Sequence, residues 1–295
     1  GICGSDLKMA GLMPAGTILG HELVGEVSAA AEDVAAAWPI GTLVAGMPAG
    51  GCGACRDCAA DDPARCASAR LIGVGSAPGA FAEQVVVTAA EAVALPASTP
   101  PEVGALVEPM AVGLHLVNAA GLATGQRVLV IGAGAVGLAV VLWAGHRGAA
   151  EITVSDPSDS RRAGAIELGA HHAVDPLAGE LGGGYDVVFE CVGGTGMVAA
   201  AIGALRPRGV AVIGGVCLEE DSFWPVAAVT ADVKVAFASY YTRSEFAAAA
   251  EALTSGELDA AALVTGRIGL ADLPEMMTAL RGPTTHRKVL VDPRA

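Results

Sequence analysis

Basic residues are scarce in this chain of 295: Lys and Arg total 17 against 31 Asp and Glu, a formal net charge of −14. With a pI near 4.7, the surface repels polyanions, which argues against nucleic acid or an anionic membrane as a partner. The N-terminus lacks the charged, apolar and small-residue regions of an export signal, so a cytoplasmic location is expected. No internal repeat, low-complexity tail or block of like charge stands out. The first residue is Gly1, inside what reads as a motif, and further sequence is expected upstream. What remains is 53% hydrophobic, with 40 Gly and 16 Pro. That composition describes a globular α/β protein long enough for two domains with their own cores.

The most informative stretch is RVLVIGAGAVGLAVVLWAGHRGAAEITVSD, Arg127 to Asp156. Val128–Ile131 is a short β-branched and aliphatic run, as expected of a strand buried on both faces. It enters Gly132-Ala133-Gly134-Ala135-Val136-Gly137 and then a helix-length apolar segment. In a dinucleotide fingerprint, Gly132 permits the tight turn, Gly134 lets backbone approach a pyrophosphate, and Gly137 lets helix and strand pack closely. The helix start offers unpaired N–H groups and a positive dipole end to the phosphates. Asp156 closes the second strand and can accept hydrogen bonds from an adenosine ribose. A membrane span is the competing reading of Val128–Gly145, but the glycines and the charge resuming at Arg147 fit a buried strand, turn and helix better.

The seven cysteines are clustered. Cys52, Cys55, Cys58 and Cys66 form C-x2-C-x2-C-x7-C, a spacing that suits a closed tetrahedral zinc site with a structural role. Redox pairs or disulfides are disfavoured by four cysteines so tightly spaced without an export signal. Cys191 and Cys217 read as ordinary buried thiols. Nearer the start, GICGSD carries Cys3, Ser5 and Asp6, and GHELVGEV carries His21 and Glu22. A thiolate, an imidazole and a carboxylate, from Glu22 or a more distant Glu, leave zinc one open position for chemistry. Asp6 is a candidate to orient the imidazole through its other nitrogen. Taken alone, Cys3 and His21 read better as a buried thiol and a surface histidine than as ligands; the rest of the chain raises them. Glu108, in PPEVGALVEPMAVGLH, is a carboxylate in an apolar stretch, costly there unless something cationic meets it; a helix-terminal carboxylate at the surface is an equally good reading of the pattern.

Phe81–Thr88, Ala92–Pro96, Tyr185–Cys191, Val210–Gly215, Val233–Ala238 and Lys288–Val291 read as further strands. Phe246–Leu253 and Met276–Leu280 read as helical. Strands alternating with alanine-rich helices imply a parallel sheet wound on both faces.

Taken together, GICGSD, GHELVGEV, the four-cysteine lobe, GALVEPMAVGLH, the fingerprint with Asp156, YDVVFECVG and KVLVDP resemble the zinc-dependent medium-chain dehydrogenase/reductase family. The likeness is to its alcohol and polyol branch, with sorbitol-, butanediol- and threonine-dehydrogenase-like members, and it spans essentially the whole chain. It implies a Rossmann-type doubly wound parallel sheet plus a GroES-like, mostly β catalytic domain with a zinc lobe, its N-terminal strands missing. The expected division is residues 1–110 catalytic, 111–240 dinucleotide-binding, and 241–295 returning to the catalytic domain. The resemblance makes Cys3 and His21 ligands of a catalytic zinc, with Glu22 or Glu108 completing the set. It makes Ser5 the hydroxyl that receives the alcohol proton, Asp6 the partner of His21, and Arg161 the basic residue at the adenosine ribose. Gly132, Gly134, Val136, Gly137 and Asp156 would hold the cofactor. Lys8 stands where many relatives place a proton-relaying histidine, and the loop from Cys3 to His21 is short.

The implied activity is reversible oxidation of a secondary alcohol or polyol to a ketone. It uses one catalytic and one structural zinc, and NAD rather than NADP because Asp156 would repel a 2′-phosphate. A homodimer or homotetramer is implied. The alternatives are a catalytically impaired dinucleotide-binding protein of this fold and a zinc-independent quinone or enoyl reductase. Two zinc ions per chain would fit the dehydrogenase, one the impaired protein, and none the reductase.

Overall fold

The chain folds as two units in this computed structural model, which describes residues 1–179, 181–282 and 284–295. One unit joins Gly1–Ala111 to Tyr241–Ala295, and the other is Val112–Tyr240.

The first unit begins with α1 (Gly4–Met9), followed by strands β1 (Leu23–Glu26) and β2 (Leu43–Gly46). β3 (Ala49–Gly50), α2 (Arg56–Ala59) and β4 (Arg70–Leu71) bracket the cysteine lobe. β5 (Ala92–Ala94), α3 (Pro101–Gly104) and α4 (Val107–Ala120) complete the N-terminal half. β1, β2 and β5 form an antiparallel sheet in which Leu23 faces Gly46, whose missing side chain leaves room for the leucine. β3 pairs antiparallel with β4.

The second unit is built of βαβ repeats: β6 (Arg127–Ile131), α5 (Ala135–His146), β7 (Glu151–Ser155), α6 (Asp159–Glu167) and β8 (His172–Val174). β9 (Tyr185–Glu190), α7 (Met197–Ala204), β10 (Leu205–Ile213), α8 (Pro225–Thr230) and β11 (Lys234–Phe237) follow. The strands are parallel in the order β11-β10-β9-β6-β7-β8. This is the doubly wound sheet expected from the sequence. Helices on both faces explain why the centres of β6 and β9 are continuously apolar rather than alternating: Val128, Leu129, Val130, Val188 and Phe189 have no exposed surface. Winding reverses between β6 and β9, so a crevice opens at their C-terminal ends. A Cβ on Gly137 would strike the Gly132 carbonyl, so only glycine allows α5 to sit this close to the turn.

The chain then returns to the first unit through α9 (Arg243–Thr254), β12 (Val264–Ile268), α10 (Leu273–Ala279) and β13 (Lys288–Val291). β12 and β13 pair in parallel, and the Ile2 amide donates to the Val289 carbonyl at 2.9 Å.

Phe81–Thr88, expected to be a strand, is not one. Its alternation is real, since Val85 and Val87 pack on Leu23, Ile72 and Ala77 while Val86 is exposed. No ladder forms there among the described residues, and alternation alone does not make a strand. The helical stretch Pro101–Ala120 is long and apolar enough to cross a membrane, but 67% of its window is buried, as in a core helix. The Val128–Gly145 run resolves into β6, the glycine turn and most of α5.

Beside the cysteine lobe, Glu91 is wholly buried and takes two hydrogen bonds from the Arg70 guanidinium, at 2.9 and 2.7 Å, and one from the Thr88 amide at 2.6 Å. Arg70→Met would leave that carboxylate buried without its cation. We expect a loss of about 3 kcal/mol or more, read as a lower denaturation midpoint, with Arg70→Lys recovering part of it.

Candidate metal and dinucleotide sites

Asp6 is placed by the first turn of α1, with no exposed surface. Its Oδ2 accepts the Cys3 amide at 2.9 Å, which holds the residue that starts the helix. Its Oδ1 lies 3.2 Å from His21 Nδ1, and among the described residues neither atom has another hydrogen-bond partner. With Nδ1 so engaged, the other ring nitrogen, Nε2, is directed away from Asp6, at 3.4 Å from Ser5 Oγ. The Cys3 sulfur, a His21 ring nitrogen and a Glu22 oxygen all fall within 4.8 Å of one another. This is the soft-and-hard donor set that zinc takes, with an outer carboxylate fixing the imidazole. The residues therefore fit the metal. Burial disfavours a charged imidazole, but the Asp6 hydrogen bond and Cys3 outweigh it, and His21 is held well above the ordinary imidazole value.

Two partners could not be read from local sequence. Lys288, on β13, is buried and donates to both Glu22 oxygens, at 2.5 and 2.7 Å, and to the Ile2 carbonyl at 3.1 Å. Burial alone would raise the Glu22 pKa, but the Lys288 ammonium holds it below the usual carboxylate range. Tyr241 donates to Glu108 Oε1 at 3.0 Å and stacks on Phe246. Glu108 lies in the first turn of α4, buried rather than at the surface, and burial pushes its pKa up to about 7. Glu108 is not among the three residues whose donor atoms converge.

The four lobe cysteines, Cys52, Cys55, Cys58 and Cys66, also have sulfurs within 4.8 Å of one another, and none is in a disulfide. Amides of Ala54 and Cys55 pull the Cys52 thiol down to about 6. Cys58 rises to about 11, the Gly53 amide being outweighed by desolvation and the neighbouring thiols. Charge on one sulfur thus opposes charge on the next, which a dication at the centre would relieve. The lobe is tied to the start of α9 by Asp61, whose Oδ2 accepts the Ser244 amide at 2.8 Å and also the Ser244 hydroxyl.

In the second unit, Gly132 has φ +99°, and Gly134 caps α5 with open space where a Cβ would project. Such a bare turn at a helix start fits a pyrophosphate. Val136 lies in the first turn of α5. Asp156 is buried at the end of β7, its Oδ2 accepting the Ala133 amide at 2.9 Å and its Oδ1 the Ser158 amide at 2.9 Å. It thereby ties the glycine turn to the next loop, a structural task the sequence reading did not foresee. Arg161 Nη1 stands 3.9 Å from Asp156. Arg162 is bound to the Asp156 carbonyl and to the Asp159 carboxylate, with Asp175 at 3.8 Å.

A thiolate–imidazole–carboxylate cluster and a glycine fingerprint in one chain are the equipment of a metal-assisted, dinucleotide-dependent oxidoreductase. Residues 1–97 match the family model of the alcohol dehydrogenase GroES-like domain, and residues 135–255 that of the zinc-binding dehydrogenases. The chain is 30% identical to 2-dehydro-3-deoxy-L-galactonate 5-dehydrogenase of Pseudoalteromonas atlantica, covering 99% of this chain and 89% of that one. A putative zinc-binding dehydrogenase from Sinorhizobium meliloti 1021, solved with NADP, superposes with a TM-score of 0.89 at 30% identity, covering 99% and 89% of the two chains. For 2R,3R-butanediol dehydrogenase of Bacillus subtilis the values are 0.85, 29%, 99% and 90%. The chain belongs to the zinc-dependent medium-chain alcohol dehydrogenase family. It is an oxidoreductase that acts on a small molecule with zinc and a nicotinamide dinucleotide.

Without metal, His21 holds a proton up to its raised pKa, and zinc must displace it. Zinc affinity at this site is therefore expected to fall as pH drops below that value, with proton release on binding. A chelated protein retitrated with zinc over a pH series checks this, and a pH-independent affinity would refute it. Separately, Cys66→Ser should remove one of two zinc ions per chain, as read by elemental analysis.

Proposed function

We propose that the chain interconverts a secondary alcohol or polyol and its ketone. The carrying observation is that Cys3, His21 and Glu22 converge, with Asp6 fixing the first two. The relatives are named for the oxidation of sugar acids and diols, which supports a polyhydroxylated substrate for this chain. When bound, zinc supplies Lewis acidity and the dinucleotide a hydride acceptor.

Cys3 and His21 hold the metal, with Glu22 as the third protein ligand and Lys288 balancing the carboxylate charge. Glu108, held by Tyr241, is the alternative ligand, and at its raised pKa it can carry or accept a proton at neutral pH. Ser5 would accept the proton of the substrate hydroxyl while releasing its own to solvent. Gly132, Gly134, Val136 and Gly137 receive the pyrophosphate, and Asp156 and Arg161 the adenosine ribose. Residues 1–111 with 241–295 form the catalytic domain, and residues 112–240 the cofactor domain.

NAD is the preferred cofactor. The buried Asp156 carboxylate opposes a 2′-phosphate; of the two nearby basic residues, Arg162 is already engaged by Asp159 and Asp175, while Arg161, 3.9 Å from Asp156, softens the preference. The protein works in the cytoplasm as a homo-oligomer. Phe237, on the edge strand β11, and Trp224 and Val229, at and within α8, are large apolar side chains left exposed, which supports a second copy covering this edge. A reductase without metal would have no use for four converged thiols.

Cys3→Ser is expected to lower turnover by at least about a hundredfold, since loss of even an outer partner of a metal site costs up to that much. NADH binding, read by fluorescence, should be unchanged, and activity of zinc-free Cys3→Ser protein would remove the proposal. Catalytic efficiency should favour NAD over NADP, and the reverse order would overturn the cofactor assignment.

A further inference from the structure

Glu190 is the last residue of β9, opposite Ile131 of β6 on one side and Ile213 of β10 on the other. It is 1% exposed. Its carboxylate faces backbone: Oε1 accepts the amides of Val192 at 2.7 Å and Gly193 at 2.8 Å. Its carbonyl accepts the amides of Gly214 and Gly215, at 2.8 and 3.0 Å. One residue thus clips together the loops that leave β9 and β10. Those loops are also packed backbone to backbone, because a Cβ on Gly193 would enter Val216 and a Cβ on Gly215 would strike Gly193 and the Glu190 carboxylate. The Val192 side chain leans over Gly132, where a Cβ would touch it.

The direction of the cofactor follows from the sheet order. The adenosine ribose is assigned to the end of β7 and the pyrophosphate to the turn after β6, so the nicotinamide half runs over the ends of β9 and β10. That brings the ring to the loops Glu190 clips. The nicotinamide ring is cationic when oxidised and neutral when reduced. The other acids on these loops, Glu219, Glu220 and Asp221, are less buried; Glu219 is engaged by Thr195, Asp221 by the Gly196 amide, and Glu220 is exposed to solvent. A buried carboxylate is screened far less than they are.

We propose that Glu190 is a positioning residue of the cofactor site whose buried charge favours the oxidised over the reduced dinucleotide. This rests on the cofactor assignment above. The test is calorimetric or fluorimetric titration of the zinc-loaded protein and its Glu190→Gln variant with NAD+, NADH and ADP-ribose. Gln keeps an acceptor for the two amides and removes the charge. A unit charge about 10 Å from the ring, at an effective dielectric of about 20 to 40, predicts a change of about four- to sixteenfold. NAD+ should weaken relative to NADH by that factor, with ADP-ribose unchanged. Equal weakening of all three ligands, or none, would overturn the inference while leaving the cofactor assignment intact. Failure of the unmodified protein to bind any of them would remove the assignment itself. Should Glu190→Gln not fold, the Glu190→Asp and Glu190→Asn pair makes the same comparison with a shorter side chain, and an unchanged ratio between them overturns it.

Discussion

One buried carboxylate holds the two parts of the metal site together. Asp6 reaches the Cys3 amide with one oxygen and the His21 imidazole with the other. A buried charge of this kind is expensive unless each lone pair is met. Here the donors that meet it belong to the backbone of one proposed metal ligand, Cys3, and the ring of another, His21. The site's geometry is thereby a by-product of satisfying Asp6: the thiol and the imidazole are placed by a residue that need not itself touch the metal.

The same economy recurs in the second unit. Asp156 bonds the glycine turn and the next loop, and Glu190 bonds the loops after β9 and β10. In both cases a carboxylate at a strand end accepts amides that the ending ladder no longer uses. The crevice rim is consequently stiff on both sides of the point where the winding reverses. A rim of this kind presents backbone in a fixed arrangement without spending surface side chains on it.

What was legible in the sequence was what is local. The fingerprint spans a single strand, turn and helix, so composition and spacing suffice, and the four lobe cysteines sit within one loop. Cys3 and His21 were legible only as members of a longer series of motifs. The partners of Glu22 and Glu108 were not legible at all: Lys288 and Tyr241 lie 266 and 133 residues away, and neither carries a pattern of its own. Phe81–Thr88 misled for the opposite reason. Its alternation of buried and exposed valines reports a half-covered segment, whereas a strand also needs a neighbour to bond. Glu108 was balanced between surface and interior because helix position does not fix burial.

The lysine that neutralises Glu22 sits on the final strand of a chain whose metal motifs lie near its beginning. During synthesis, the Glu22 carboxylate is made long before the ammonium of Lys288 that meets it. Glu22 therefore emerges without its counter-ion, which arrives 266 residues later and packs against the Ile2 carbonyl.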